Sequence, residues 1–255
     1  MTKASHAALS GVFALVVLIF TDIQSSSSAT ALYNEGNALY RKGAFVEAVA
    51  LYEDALSTGL ENSDVYYNLG NAHYKVGELG LAILNYERAL RLNPMDADIL
   101  GNISFANGRI TDRFEEDPPN IVTRFLVGLY DLVPPNGLSV VVSVALVMGC
   151  LGGGAILFSG RHRLTWGAVI AFSVLSCGLG ATVLAIKVAD LSTPQGIVLA
   201  VEIVGRSGPG SDFLQVFMLH EGTKIVLERQ EGAWGLIRLP NGLGGWVPLD
   251  AIRMI

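Results

Sequence analysis

The sequence predicts a multidomain protein that combines an all-α helical repeat, a two-helix transmembrane hairpin and a small all-β barrel. Three observations predict this class: an internal repeat near the N-terminus, two uncharged apolar stretches, and short strand-like runs between glycine turns. Charged residues make up only 16% of the 255 residues, and the mean hydropathy is +0.46. Because the apolar residues are concentrated in blocks, the composition favours a membrane protein with soluble parts over one globular domain.

The N-terminus has the pattern of a signal peptide. Lys3 and His6 precede a 14-residue apolar run, residues 7–20, and small residues follow as far as Ala29. A run of this length suits the core of a secretory signal and is short for a membrane span. We therefore predict a signal peptide over residues 1–29, cleaved after Ala29. The alternative is an uncleaved anchor, which would leave the next domain on the same side of the membrane.

The next segment contains two copies of one pattern. Residues 33–56 (YNEGNALYRKGAFVEAVALYEDAL) align with residues 67–90 (YNLGNAHYKVGELGLAILNYERAL). The resulting period of 34 is typical of stacked helix–turn–helix units, with small residues where the paired helices cross and glycine in the turn. The pattern resembles the tetratricopeptide repeat (TPR), whose modules bind other proteins. It predicts a module over residues 30–114, with repeats at 29–62 and 63–96 and a capping helix at 97–113 in which Leu100, Ile103 and Ile110 cover the open face.

Asparagines recur within this module, although asparagine is a poor helix former. They are the candidate partner-binding residues, namely Asn34, Asn37, Asn68, Asn71 and Asn102. Their amides could hold the backbone of an extended peptide, or they could be inter-helix residues common to the repeat. In TPR modules that capture C-terminal peptides, asparagines occupy the positions of Asn37 and Asn68. The basic residues of that clamp are replaced here by Tyr33, Asp98 and Asn102, so we do not expect a chaperone-type carboxylate clamp.

Two apolar stretches predict a membrane hairpin. Residues 138–158 and 164–186 carry no charge, and each is long enough to cross the hydrocarbon core. The connecting loop, residues 159–163, contains Arg161 and Arg163, so the positive-inside rule places it in the cytoplasm. Both flanking domains would then be periplasmic at a bacterial inner membrane, in agreement with the signal peptide. Small residues such as Gly149 and Gly152 suit close packing within the hairpin or against a partner's span.

The segments on either side of the hairpin have different characters. Residues 115–137 are predicted to form an acidic linker followed by an interfacial helix over 121–133 that lies along the membrane; the alternative is a segment packed on the TPR module. The second span extends to residue 187, and residues 193–255 form a β-rich domain. Five strands are expected there, at residues 196–204, 214–219, 223–229, 234–239 and 245–248.

The β-rich domain resembles the bacterial SH3 domain. The resemblance depends on Gly222 before Thr223, on Trp234 at the start of a strand, and on the GWVP run at residues 245–248. It implies an SH3-like barrel that binds either a cell-wall peptide or a protein segment. Trp234 and Trp246 are the candidate binding residues on the barrel, and the alternative for both is core or strand-edge packing.

The sequence gives no indication of catalysis. The four histidines are scattered, and no metal-binding, phosphate-binding or nucleophile motif occurs, so we expect no catalytic residue, metal or cofactor. A net charge of −6 without a basic cluster argues against nucleic-acid binding. The acidic residues on the outer helices, Glu47, Glu53, Asp54 and Glu87, are expected to be solvated surface charges.

The order of parts, rather than one motif, resembles the BatE-like proteins of the Bacteroides-aerotolerance group. This resemblance implies a membrane complex with von Willebrand A-domain proteins and a link to stress tolerance. We therefore predict a non-enzymatic, membrane-anchored adaptor or scaffold that binds protein partners through its periplasmic domains. The alternative is an envelope-binding protein whose barrel grips peptidoglycan. The two soluble modules are expected to act as separate binding units on one anchor.

Overall fold

The computed structural model describes residues 28–114, 128, 135–159 and 162–255. The chain divides into two compact units, one with residues up to Phe114 together with Gln195–Ile255, the other with Glu115–Pro194. The predicted linker and interfacial helix lie outside the described residues apart from Gly128, and so does the predicted signal peptide apart from its last two residues.

Five helices build the first part of the larger unit. They are α1, described from residue 28 to residue 41, then α2 (Phe45–Ser57), α3 (Ser63–Val76), α4 (Leu79–Leu92) and α5 (Ala97–Asn107). Asn62 caps α3 by accepting a hydrogen bond from the Val65 amide at 2.9 Å, and Asp96 caps α5 in the same way. Gly77 ends α3 at φ +99°, a conformation that favours glycine.

The helical pairs pack as the repeat predicts. A Cβ atom on Gly36 would lie 2.8 Å from the Tyr52 ring, and one on Gly70 would lie 2.7 Å from the Tyr86 ring. Both tyrosines are almost completely buried between their helices. The prediction of small residues at the helix crossings and aromatic residues between the helices is therefore confirmed.

The capping helix is shorter than predicted. Helix α5 ends at Asn107, whereas the sequence predicts a helix to residue 113. Ile103 is buried as expected, but Leu100 is 45% exposed. Ile110 lies against Gly222 in the β-rich part of the chain, because the residues after α5 leave the helical direction and contact the sheet.

The C-terminal part forms a seven-stranded antiparallel sheet with the order β3-β2-β6-β5-β4-β1-β7. Its strands are β1 (Gln195–Val198), β2 (Glu202–Arg206), β3 (Gln215–His220), β4 (Lys224–Glu231), β5 (Trp234–Arg238), β6 (Gly244–Pro248) and β7 (Ile252–Met254). Each predicted run contains strand structure. The first run is divided between β1 and β2, and β7 is additional. Its three residues give too little alternation for a sequence pattern to detect.

The sheet and the helical repeat share a hydrophobic core. Ile197 of β1 is fully buried in the cluster that contains Ile83 and Tyr86 of α4, and Leu199 and Ile255 pack against the same cluster. A second cluster, which includes Val198 and Ile225, lies within the sheet. The helical repeat and the sheet, which the hairpin divides in the sequence, therefore fold as one compact unit.

The smaller unit contains two long helices, α6 (Pro135–Ser159) and α7 (Arg163–Ser192), which pack against each other. Residues Ser139–Ile156 and Leu164–Ile186 have mean hydropathies of 2.1 and 2.3, so both are long and apolar enough to cross a membrane. A Cβ atom on Gly149 would lie 3.1 Å from the Cβ of Ser173, and one on Gly152 would lie 3.3 Å from Ile170. The glycines thus serve close packing within this helix pair.

Candidate functional site

The candidate binding residues of the helical repeat lie on α1, α3 and α5. Helices α1 and α3 are the first helices of the two repeats, and α5 is the capping helix at the equivalent position after them. Asn34 is exposed, and the other four asparagines are half-buried. The half-buried asparagines belong to a hydrogen-bond network that occurs twice, at equivalent positions of the two sequence repeats.

In the first copy of the network, the side-chain oxygen of Asn37 accepts two hydrogen bonds. The Tyr52 hydroxyl donates one at 2.7 Å, and the Asn68 side-chain amide donates the other at 3.0 Å. The Asn68 amide also donates to the Tyr33 hydroxyl at 2.9 Å. These bonds join three helices, α1, α2 and α3.

The second copy repeats these contacts one unit further along. The oxygen of Asn71 accepts from the Tyr86 hydroxyl at 2.8 Å and from the Asn102 amide at 2.7 Å, and Asn102 also donates to Tyr67 at 3.1 Å. Burial, together with neighbouring tyrosines, raises the pKa of Tyr86 far above its usual range, so its hydroxyl is a neutral donor. The asparagines therefore hold successive repeats together, which the interpretation as inter-helix residues predicts. Within the described residues, Asn37 Nδ2 and Asn68 Oδ1 make no hydrogen bond.

The two candidate tryptophans lie on one face of the sheet. Leu236 pairs with Trp246 across β5 and β6, and Trp234 is two residues from Leu236, so all three point the same way. Trp246 is only 6% exposed, and the Arg229 guanidinium lies 5.0 Å from its ring centroid. Trp234 is half-buried. Of the two, Trp234 offers the more accessible surface.

The contacts between the sheet and the repeat include polar groups that the sequence analysis placed on the surface. Glu87 is 8% exposed, and its carboxylate accepts a hydrogen bond from Lys224 at 2.8 Å. Its equivalent in the first repeat, Glu53, is exposed. The prediction of a solvated Glu87 is therefore wrong, because the sheet covers α4 and leaves α2 open.

Asp112 is the main polar contact at the other end of this junction. Its carboxylate accepts hydrogen bonds from the His220 amide at 2.7 Å and the Thr223 hydroxyl at 2.5 Å, and it lies 2.7 Å from His220 Nδ1. Burial raises the pKa of Asp112, but the hydrogen bonds from Thr223 and His220 outweigh burial and hold its pKa below the usual range.

A row of three basic residues on the repeat was missed by the sequence analysis. Arg41, Lys75 and Arg109 occupy equivalent positions in successive repeats, and each lies within two residues of the C-terminal end of α1, α3 or α5. All three are exposed, and their side chains make no hydrogen bond or ion pair with any described residue. The same comparison that revealed the asparagines could have revealed this row.

A cavity of about 250 Å³ lies beside the last of these cations, lined by Tyr74, Gly77, Leu79 and Arg109. The Arg109 guanidinium lies 4.6 Å from the ring centroid of Phe105 and 5.4 Å from that of Tyr74. The arrangement places a cation over two aromatic rings that contact each other, with centroids 5.6 Å apart, next to an apolar hollow. No group of three side chains among the described residues could hold a metal ion.

Comparison with known proteins identifies the helical repeat. One family model described as a tetratricopeptide repeat matches residues 63–96, and a second, described as a TPR repeat, matches residues 36–77. Residues 36–96 are TPR repeats. The matches cover the helices that carry both asparagine networks, and TPR proteins mediate protein–protein interactions. No curated protein sequence matches the chain.

Several solved TPR structures are similar to the chain. The first TPR of Spaghetti (RPAP3), bound to the HSP90 peptide SRMEEVD, is 20% identical with a TM-score of 0.31, and the match covers 32% of this chain. The Sgt2 TPR domain from Aspergillus fumigatus is 25% identical with a TM-score of 0.30, and the match covers 31% of this chain. The chain spans 66% of the first of these structures and 53% of the second.

A third similar structure is YrrB, a TPR protein with an unusual peptide-binding site, at 25% identity and a TM-score of 0.32. This match covers 71% of the chain and 88% of YrrB. Likenesses at such TM-scores carry no inference about the ligand of this chain.

Proposed function

We propose that the protein is a membrane-anchored adaptor whose TPR repeats bind an extended segment of a protein partner. The observation that carries the proposal is the presence of two TPR repeats with amide atoms left over after their inter-helix hydrogen bonds. Asn37 Nδ2 is an available donor and Asn68 Oδ1 an available acceptor, the pair that an extended backbone needs. Asn34, which is exposed on α1, extends the same surface.

The anchor of this adaptor is the pair of apolar helices. Only 6% of the Ser139–Ile156 window and 17% of the Leu164–Ile186 window are buried, unlike the core helices of a soluble protein. Helix α6 ends at Ser159 and α7 begins at Arg163, so the connection is short and basic. By the positive-inside rule this connection is cytoplasmic, and both soluble parts are then periplasmic at a bacterial inner membrane.

The topology makes a direct prediction. Reporter fusions after residues 115, 161 and 255 should report outside, inside and outside, because the basic connection stays in the cytoplasm. The measurement is paired alkaline phosphatase and green fluorescent protein activity at each site. An inside signal at residue 255 would contradict the two-span topology.

The fold of the β-rich part and the complex in which the protein acts are proposed from the family resemblance. The β-rich part is proposed to be an SH3-like barrel, and the whole chain a BatE-like scaffold in a complex with von Willebrand A-domain proteins linked to stress tolerance. The support for it is the order of parts, with TPR repeats first, then two apolar helices, then a small antiparallel sheet.

A crosslinked pull-down from membranes tests the proposed function. Recovery of von Willebrand A-domain proteins with the full chain is the expected result. Sedimentation of the purified protein with isolated sacculi, without a protein partner in the pull-down, would instead favour the peptidoglycan-binding alternative, for which Trp234 is the accessible candidate residue.

A further inference from the structure

The basic row on the TPR repeats has no carboxylate partner in the described part of the chain. Arg41, Lys75 and Arg109 are exposed, are equivalent by the repeat, and make no ion pair there. The carboxylates three residues after Lys75 and Arg109, those of Glu78 and Asp112, are engaged with other groups. Glu78 lies 2.6 Å from His73 Nδ1, and Asp112 bonds His220 and Thr223.

We propose that the surface formed by α1, α3 and α5, here called the groove, binds an acidic, extended protein segment whose carboxylates occur at every third residue. This inference rests on the proposed function and names the chemistry of its ligand. Equivalent helices of successive repeats are joined by side-chain hydrogen bonds, Asn37 to Asn68 and Asn71 to Asn102, which places their axes roughly 10 Å apart, and an extended chain rises about 3.3 Å per residue. Three residues of such a chain therefore span roughly one repeat, so successive carboxylates meet Arg41, Lys75 and Arg109 in turn.

Arg109 is held in place for this role before a ligand arrives. Its guanidinium carbon lies 4.6 Å from the ring centroid of Phe105 and 5.4 Å from that of Tyr74. These cation–π contacts restrain the side chain, and its N–H groups, which make no hydrogen bond to a described residue, remain for a carboxylate. Because the side chain is already ordered, binding loses less conformational entropy at this position.

The cavity beside Arg109 predicts which side chain the bound segment carries next to its last carboxylate. The residues equivalent to its lining in the first repeat are Tyr40, Gly43, Phe45 and Lys75. There the Phe45 ring packs edge-on against Tyr40, with centroids 5.2 Å apart. In the second repeat the smaller Leu79 replaces Phe45 and lines the cavity of about 250 Å³. The segment is thus expected to place an apolar side chain beside its last carboxylate.

Basic residues at the ends of helices also stabilise the helix dipole, by about 0.3–1 kcal/mol each. That contribution belongs to folding and is separate from binding. The test therefore measures peptide affinity and thermal stability on the same variants.

The probe is a fluorescent ten-residue peptide, otherwise alanine and serine, with glutamate at positions 2, 5 and 8 and leucine at position 9. Binding is measured by anisotropy with the full chain in nanodiscs. Wild type is expected to bind this peptide about tenfold more tightly than a peptide with three adjacent glutamates, and affinity should fall with salt. Arg109→Gln should weaken binding about fivefold, and Arg41→Gln with Lys75→Gln should weaken it further.

Two further variants provide a charge control and a test of the cavity. Arg253→Gln makes the same charge change at an exposed residue of β7 and should leave affinity unchanged. Leu79→Phe should fill the cavity as Phe45 does in the first repeat, and should weaken the leucine-containing peptide without affecting a peptide with alanine at position 9. Equal affinity for both glutamate spacings, or unchanged affinity in Arg109→Gln, would overturn the inference.

The outcome separates this inference from the proposed function. If the basic-row variants still capture the partner identified by crosslinking, the adaptor function stands and the acidic ligand is wrong. If the wild-type protein captures no partner, the adaptor function itself fails.

Discussion

Gly80→Val is expected to separate the sheet from the helical repeat and to lower the free energy of unfolding by about 3 kcal/mol. A Cβ atom on Gly80 would lie 2.9 Å from Glu221 Cγ and 3.0 Å from the Val198 carbonyl oxygen. The Gly80 amide also donates to Glu221 Oε1 at 2.7 Å. Because one of these neighbours is backbone, the strand itself must move, and the Glu87–Lys224 ion pair opens with it.

The first repeat provides the matched control for this substitution. Val46 is the equivalent of Gly80 and is 66% exposed, so Val46→Gly should cost only the helix propensity of glycine, up to about 1 kcal/mol. Urea unfolding of the full chain, followed by tryptophan fluorescence and circular dichroism, should show coincident transitions in wild type and separate transitions in Gly80→Val. Coincident, unshifted transitions in Gly80→Val would show that the two parts do not depend on each other.

Asp112→Ala should also destabilise the junction, by about 3 kcal/mol, because two donors, the His220 amide and the Thr223 hydroxyl, lose a charged acceptor. The effect should depend on pH. Since the folded-state pKa of Asp112 lies below the ordinary value of 3.8, its contribution is complete above that pH and is lost as the pH falls through the folded-state pKa.

The measurement for Asp112 is the free energy of unfolding between pH 7 and pH 2. The difference between wild type and Asp112→Ala should be constant from pH 7 to about pH 5 and should shrink at lower pH. Asp54→Ala, at an exposed position on α2, is the control and should change stability by less than about 0.5 kcal/mol. A difference that grows as the pH falls would contradict the assigned direction of the pKa shift.

Local packing in the repeat was predictable from the sequence because each contact recurs with the period. Gly36 and Gly70 meet Tyr52 and Tyr86 at equivalent positions of the two repeats. The asparagine networks could have been predicted as well, because their acceptor tyrosines, Tyr33 and Tyr67, are also equivalent. What the sequence analysis left open was whether the amides serve the repeat or a ligand. The geometry assigns some of their atoms to the repeat.

The packing of the sheet on α4 was not predictable from periodicity, because it joins segments that the hairpin separates in the sequence. Its signal lies in the differences between the repeats. The second repeat has Gly80 where the first has Val46, and Leu84 where the first has Ala50. The glycine lets the sheet approach the outer face of α4 closely, and the leucine adds apolar area that the sheet can bury. Glu87 on the same face made this pattern hard to recognise, because a charged residue predicts an exposed position. Its partner Lys224 follows the hairpin in the sequence and could not be paired with it in advance.

The most direct test of the central claim is site-specific photo-crosslinking in intact membranes. A photoreactive residue at position 34 lies at the exposed end of the proposed groove on α1, and one at position 53 lies on the open outer face of α2. If the TPR groove binds a partner segment, the chain with the probe at position 34 forms a defined adduct with one protein, and the chain with the probe at position 53 does not. Equal adducts at both positions, or none at position 34, would contradict an adaptor that works through this groove.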